Sequence, residues 1–151
     1  MTIFRSLSPA QTKQIGLRVG RLLGKGSVVA LIGDLGSGKT TFVKGLAKGL
    51  GVKDEKKIVS PTFVLIQEYQ GKQKIYHMDW YRLDTVKGSD AASAMECFES
   101  DAVSLVEWAD RGKAMLPKEH LRITFKHKTP TSREIVIQPL GIKYKTCLKN
   151  L

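Results

Sequence analysis

The sequence predicts an α/β fold: a three-layer sandwich whose mixed, mainly parallel sheet is flanked by antiparallel hairpins. Three observations carry this expectation. A continuous apolar run, Val28–Ile32, runs straight into a glycine-rich loop and then an amphipathic segment, as a fully buried strand followed by a helix would. Residues 63–69 and 74–78 are strand-like and separated by Gln70-Gly71-Lys72-Gln73, which reads as a hairpin. A second apolar run, residues 102–106, ends in Glu107-Trp108.

The elements follow in order. Ser8-Pro9-Ala10-Gln11 reads as a helix start, with Ser8 as N-cap, Pro9 at the first helical position and Gln11 closing a capping box. Ile15, Val19, Leu22 and Leu23 then recur at helical spacing until Gly24 and Gly26. A second helix begins near Lys39, buries Phe42, Val43, Leu46 and Ala47, and stops around Gly49 and Gly51. Residues 89–100 form a weaker helical segment. Residues 121–125 and 134–137 alternate as strands around the turn Thr129-Pro130-Thr131-Ser132. Residues 1–137 are expected to form the domain, and residues 138–151 a loosely ordered basic tail carrying Lys143, Lys145 and Lys149.

Composition narrows the function classes. The 151 residues suffice for one core, and no apolar run approaches the roughly 18 to 20 residues of a membrane span. The N-terminus lacks the long apolar stretch of a secretory signal, so a cytoplasmic protein is expected. Cys97 and Cys147 share no metal-ligand spacing and are expected as thiols. The net charge of +11 favours polyanion partners such as nucleic acid.

Residues 33–40, Gly-Asp-Leu-Gly-Ser-Gly-Lys-Thr, are a complete Walker A sequence, which makes the expected sandwich P-loop NTPase-like. Gly33, Gly36 and Gly38 supply a backbone that turns sharply and approaches phosphate oxygens. The amides of Leu35, Gly36, Ser37, Gly38, Lys39 and Thr40 are expected to point inward at a helix N-terminus. Lys39 is expected to reach the β- and γ-phosphates and the Thr40 hydroxyl to bind Mg²⁺. Asp34 and Thr41 complete the nucleotide-contacting stretch. Two carboxylates stand at strand ends where metal and hydrolytic groups are needed: Glu107, in the Walker B placement, and Asp79, after Ile75-Tyr76-His77-Met78. Ser60-Pro61-Thr62 is either an ordinary turn or a loop whose hydroxyl meets Mg²⁺ or the γ-phosphate. Arg82, Arg111 and Arg133 could each neutralise transition-state charge, and spacing does not choose among them. Asn150 is the only asparagine, so the guanine-reading Asn-Lys-x-Asp motif is absent and ATP is the expected nucleotide.

At this point the chain resembles the TsaE (YjeE) family, the bacterial ATPases needed for threonylcarbamoyl modification of adenosine in tRNA. Four features match in order: the stretch from Gly33 to Thr41; Ser60-Pro-Thr-Phe63; His77-Met-Asp-Trp-Tyr-Arg82; and Val106-Glu-Trp108 followed by Ala-Asp-Arg-Gly112. The likeness spans roughly residues 8 to 137. It implies that Thr40 and Glu107 ligate Mg²⁺, that Asp79 serves hydrolysis, and that Thr62 lies in a switch-like loop. It also implies that Thr12, Trp108 and Arg133 meet the nucleotide, and that the chain is a weak ATPase working in a complex with TsaD and TsaB, with direct tRNA contact left open. Two departures stand out: Ala94-Met95-Glu96-Cys97-Phe98 where the family often has a glycine, acidic residues and an aromatic, and Trp80 at a position commonly smaller. A small P-loop kinase and a non-catalytic tRNA-binding module are the alternatives.

Overall fold

The computed structural model describes residues 1–151 apart from the side chain of Asn150. Helix α1 (Pro9–Leu22) starts where its capping residues place it: the Ser8 hydroxyl accepts the Gln11 amide at 3.2 Å. The Gln11 side chain reaches back one residue further than a capping box requires, accepting the Leu7 amide at 2.7 Å. Two further helices take the expected positions, α2 (Lys39–Gly49) and α3 (Gly88–Glu99).

Seven strands form one sheet: β1 (Thr2–Ser6), β2 (Val28–Ile32), β3 (Ile66–Gln70), β4 (Lys74–Asp79), β5 (Val103–Glu107), β6 (His120–His127) and β7 (Arg133–Leu140). Their order is β1-β7-β6-β2-β5-β4-β3. The central four, β6, β2, β5 and β4, run parallel, and antiparallel pairings extend the sheet at both edges. The expected mixed sandwich is therefore the observed one. Strand residues alternate between its two apolar layers: Val29 and Leu31 face α1 and α2, while Ala30 faces the layer of Trp80, Val86, Ala94 and Cys97 beside α3.

Helices α1 and α2 pack with almost no space between their backbones. A Cβ on Gly45 would lie 2.1 Å from the Lys13 carbonyl oxygen, and one on Gly20 would lie 2.3 Å from that of Leu46. Only glycine fits at either contact.

Three expectations are revised. The N-terminal residues, given no strand by the sequence, form β1 on β7; Ile3 is 55 % exposed at this edge, so the alternation carries little apolar signal. The strand expected from residue 63 begins at Ile66, because a turn closed by Leu65 N–H on the Pro61 carbonyl (2.9 Å) intervenes and Leu65 adopts φ 69°. The basic tail is not loose. β7 continues to Leu140, and α4 (Ile142–Cys147) folds back so that Tyr144 is buried and its hydroxyl accepts the Val28 amide at 2.8 Å. Leu148, one helical turn on, joins the same core. The three tail lysines had hidden this i, i+4 apolar pair, and residue 137 marks no structural boundary. No helix among the described residues is long and apolar enough to cross a membrane.

Candidate functional site

A cleft of about 550 Å³ opens beyond the carboxyl ends of the parallel strands, where open α/β sheets place their ligands. β2 delivers its floor. The chain leaves Ile32 through a loop in which Gly33, Gly36 and Gly38 have φ values of 157°, 73° and 104°, and Gly38 caps α2 in a left-handed conformation. A Cβ on Gly38 would come within 3.1 Å of an Arg133 guanidinium nitrogen. Glycine thus satisfies both the backbone turn and the close approach.

Lys39, only 4 % exposed, donates to the carbonyls of Gly33 (2.6 Å) and Asp34 (2.9 Å). Its ammonium also lies 4.1 Å from the centroid of the Trp108 ring, a cation–π distance. Burial lowers the Lys39 pKa, and the nearby Glu107, Asp79, Asp110 and Asp34 charges oppose that shift. Trp108 holds its ring there with φ 56°, a left-handed conformation that costs a non-glycine residue about 1–3 kcal/mol. It also packs against Tyr81, with ring centroids 4.9 Å apart.

The two carboxylates emerge side by side because Asp79 and Glu107 are register partners at the ends of β4 and β5. Both are buried. Thr40 Oγ1 lies 2.9 and 3.1 Å from the two Glu107 carboxylate oxygens, and His77 Nε2 lies 2.8 Å from Oε1. Asp79 Oδ1 accepts the Tyr81 amide at 2.8 Å, while its Oδ2 accepts from the Ser60 hydroxyl and, at 3.4 Å, from Thr62. The Ser60-Pro61-Thr62 loop is thereby tied to the strand-end aspartate.

The sequence-derived candidates converge here with two exceptions. Leu35, Gly36, Ser37, Gly38, Lys39, Thr40, Thr41, Thr62, Asp79, Glu107, Trp108 and Arg133 all line the cleft. Thr12 does not: it is fully buried behind Gly38, and its hydroxyl lies 2.8 Å from that of Ser6. The Asp34 side chain is exposed, and that residue contributes its backbone carbonyl instead. Among the arginines, Arg82 and Arg133 reach the cleft, with Arg82 stacked 4.1 Å from the centroid of Phe63. Arg111 is engaged by the Leu83 carbonyl at 3.0 Å.

Pro9, Phe63 and Tyr81 also line the cleft, and His77 supports Glu107; sequence reading gave none of them a role there. His77 had a usable signal. It shares a face of β4 with Asp79, two residues on, so pairing β4 with β5 brings it towards Glu107.

A parallel sheet, a glycine loop opening onto α2, and a threonine–carboxylate pair beside it define an α/β protein of the P-loop class. The family model for TsaE, "Threonylcarbamoyl adenosine biosynthesis protein TsaE", matches residues 6–135, and the chain belongs to that family. It is 43 % identical over 132 residues to the "tRNA threonylcarbamoyladenosine biosynthesis protein TsaE" of Treponema pallidum, covering 87 % of this chain and 96 % of that one. The protein of the same description from Bacillus subtilis is 39 % identical over 149 residues, 98 % of this chain and 92 % of the relative. The crystal structure of Bacillus subtilis YdiB superposes with a TM-score of 0.79 at 37 % identity, covering 97 % of this chain and 90 % of that one.

Proposed function

We propose that this chain is a Mg²⁺-dependent ATPase that serves threonylcarbamoyl modification of adenosine 37 in tRNA, acting in the cytoplasm as a subunit with TsaD and TsaB homologues. The observation that carries the reading is the convergence of Lys39, Thr40, Glu107 and Asp79 on one cleft. Family membership supports the pathway, and the lack of a guanine-reading motif supports ATP.

The site suits a magnesium ion that arrives with its nucleotide. Thr40 and the Glu107 carboxylate offer hard oxygen donors within 3.1 Å of each other. The described residues contain no group of three His, Cys, Asp or Glu side chains able to hold a metal unaided. Mg²⁺ commonly takes one or two protein oxygens and completes its shell from phosphates and water. Once bound, it would neutralise charge on the β- and γ-phosphates. The protein's own work is then positional. Backbone amides from Leu35 to Thr40 hold the phosphates, Lys39 exchanges its carbonyl partners for phosphate oxygens, and His77 fixes Glu107. Asp79 orients the attacking water and accepts its proton. Its hydrogen bonds to Ser60 and Thr62 couple that role to the loop at residues 60–65. A small P-loop domain of this kind is expected to turn over slowly alone, since an arginine or loop supplied in trans can add about 10³ to 10⁵ in rate.

Phosphate release measured on the chain alone and with TsaD and TsaB homologues tests the reading. Slow release that rises with the partners is expected, with none from Lys39→Ala in either condition. ATP-dependent phosphorylation of a metabolite without net hydrolysis would replace this reading with a kinase.

A further inference from the structure

The charge of this chain is strongly segregated. Residues 9–26, 41–58 and 141–151 carry twelve lysines and arginines against two carboxylates, a net +10 out of the chain's +11. The other 104 residues, which include most of the cleft, hold thirteen against twelve. The three basic stretches form a single layer. α1, α2 and the α4 segment all bury their apolar sides in the same core, through Ile15 and Val19, Phe42 and Leu46, and Tyr144 and Leu148. Arg18 closes the layer by donating to the Leu151 carbonyl at 3.0 Å. Among the described residues only two of these cations are spent in ion pairs, Lys13 with Glu55 at 2.8 Å and Lys25 with Asp101 at 3.6 Å, while Asp54 caps a short turn.

We infer that this outer helical layer is a docking surface for the phosphate backbone of double-helical RNA. The choice of RNA over other polyanions rests on the proposed role in tRNA modification; the charge itself does not. Close packing at Gly20 and Gly45 sets the two helices side by side, and the turn after α2 meets α1 through the Glu55–Lys13 pair; Arg21, Lys48 and Lys56 on these elements are all exposed. Its only aromatic residues, Phe42 and Tyr144, are buried, which leaves no platform for stacking unpaired bases. Contact through phosphates, by shape and charge, is what remains. An anionic membrane is a poorer match, because among the described residues Ile142 is the only large apolar side chain strongly exposed on the layer, and interfacial helices insert an apolar face.

Binding of a fluorescently labelled RNA duplex, followed by anisotropy across a salt series, tests the inference. Two triple variants, each lowering the net charge from +11 to +8, are compared. Arg21→Gln/Lys48→Gln/Lys56→Gln removes cations from the layer, and Lys87→Gln/Lys113→Gln/Lys118→Gln removes exposed cations from elsewhere. The wild type is expected to bind with a steep salt dependence. The first variant should lose at least about tenfold in affinity and show a shallower slope, and the second should stay within about twofold. Both should bind ATP as the wild type does, so loss of RNA binding is separable from failure of the ATPase reading. Equal weakening by the two variants, absence of duplex binding by the wild type, or preference for anionic vesicles over the duplex would each overturn the inference.

Discussion

The two ends of the central strands are equally buried and chemically opposite. At the amino end, Ile75 and Val103 sit near the starts of β4 and β5 inside an aliphatic core, and Tyr144 closes β2 through its bond to the Val28 amide. At the carboxyl end, the same strands place His77, Asp79 and Glu107 out of water. Burying a carboxylate is costly unless hydrogen bonds replace its hydration. Here Thr40, Ser60, Thr62 and the Tyr81 amide supply them. Stability and polar chemistry therefore reside at opposite ends: one end holds the sheet together, and the other is polar at its expense.

This contrast can be broken from either side. The largest expected effect is at the polar end. Asp79→Asn should keep ATP binding and the fold but lower the single-turnover hydrolysis rate by about 10² to 10⁴, the usual share of a general base. Full activity in that variant would remove Asp79 from the reaction. At the apolar end, Tyr144→Ala should cost about 3–5 kcal/mol in denaturant unfolding, as truncation of a buried aromatic does. Tyr144→Phe should cost about 1–3 kcal/mol, for a buried amide left without its acceptor. Both Tyr144 variants should hydrolyse ATP normally below their melting points. A cost near zero for both would restore the loosely ordered tail.

The smallest effect sharpens the picture by pH. His120 is buried at the start of β6; its Nδ1 lies 2.7 Å from the Pro117 carbonyl and its Nε2 has no partner among the described residues. Burial lowers its pKa below 6.5. The unfolded chain therefore takes up a proton near pH 6.5 that the native state resists. Stability contributed by His120 is complete above that pH and is lost as pH falls through the lowered native value. Melting curves from pH 7.5 to about 5 should decline more steeply for the wild type than for His120→Gln. Parallel curves would show that His120 does not matter.

Much of this arrangement was legible in the sequence, for identifiable reasons. Ser8 and Gln11 marked a helix start through local hydrogen bonding and Pro9 through its fixed φ, and Val28–Ile32 marked a central strand by its uniform apolarity. The Walker A loop fixed most of the site because its chemistry is local in sequence. What escaped depended on tertiary neighbours. Tyr144 and Leu148 looked like a lysine-rich tail until a core covered them. The bond between His77 and Glu107 spans 30 residues and exists only through the pairing of β4 with β5. Thr12, for which the family resemblance implied nucleotide contact, is buried with its hydroxyl turned to Ser6, a placement that also depends on tertiary neighbours.

We propose above that Lys39, Thr40 and Glu107 together hold phosphate and magnesium. Calorimetric titration with ATP, with and without Mg²⁺, tests it most directly in the wild type, Lys39→Ala and Glu107→Ala. The wild type is expected to bind in a Mg²⁺-dependent way, Lys39→Ala not at all, and Glu107→Ala weakly and without Mg²⁺ enhancement. Unchanged ATP affinity in Lys39→Ala would contradict it.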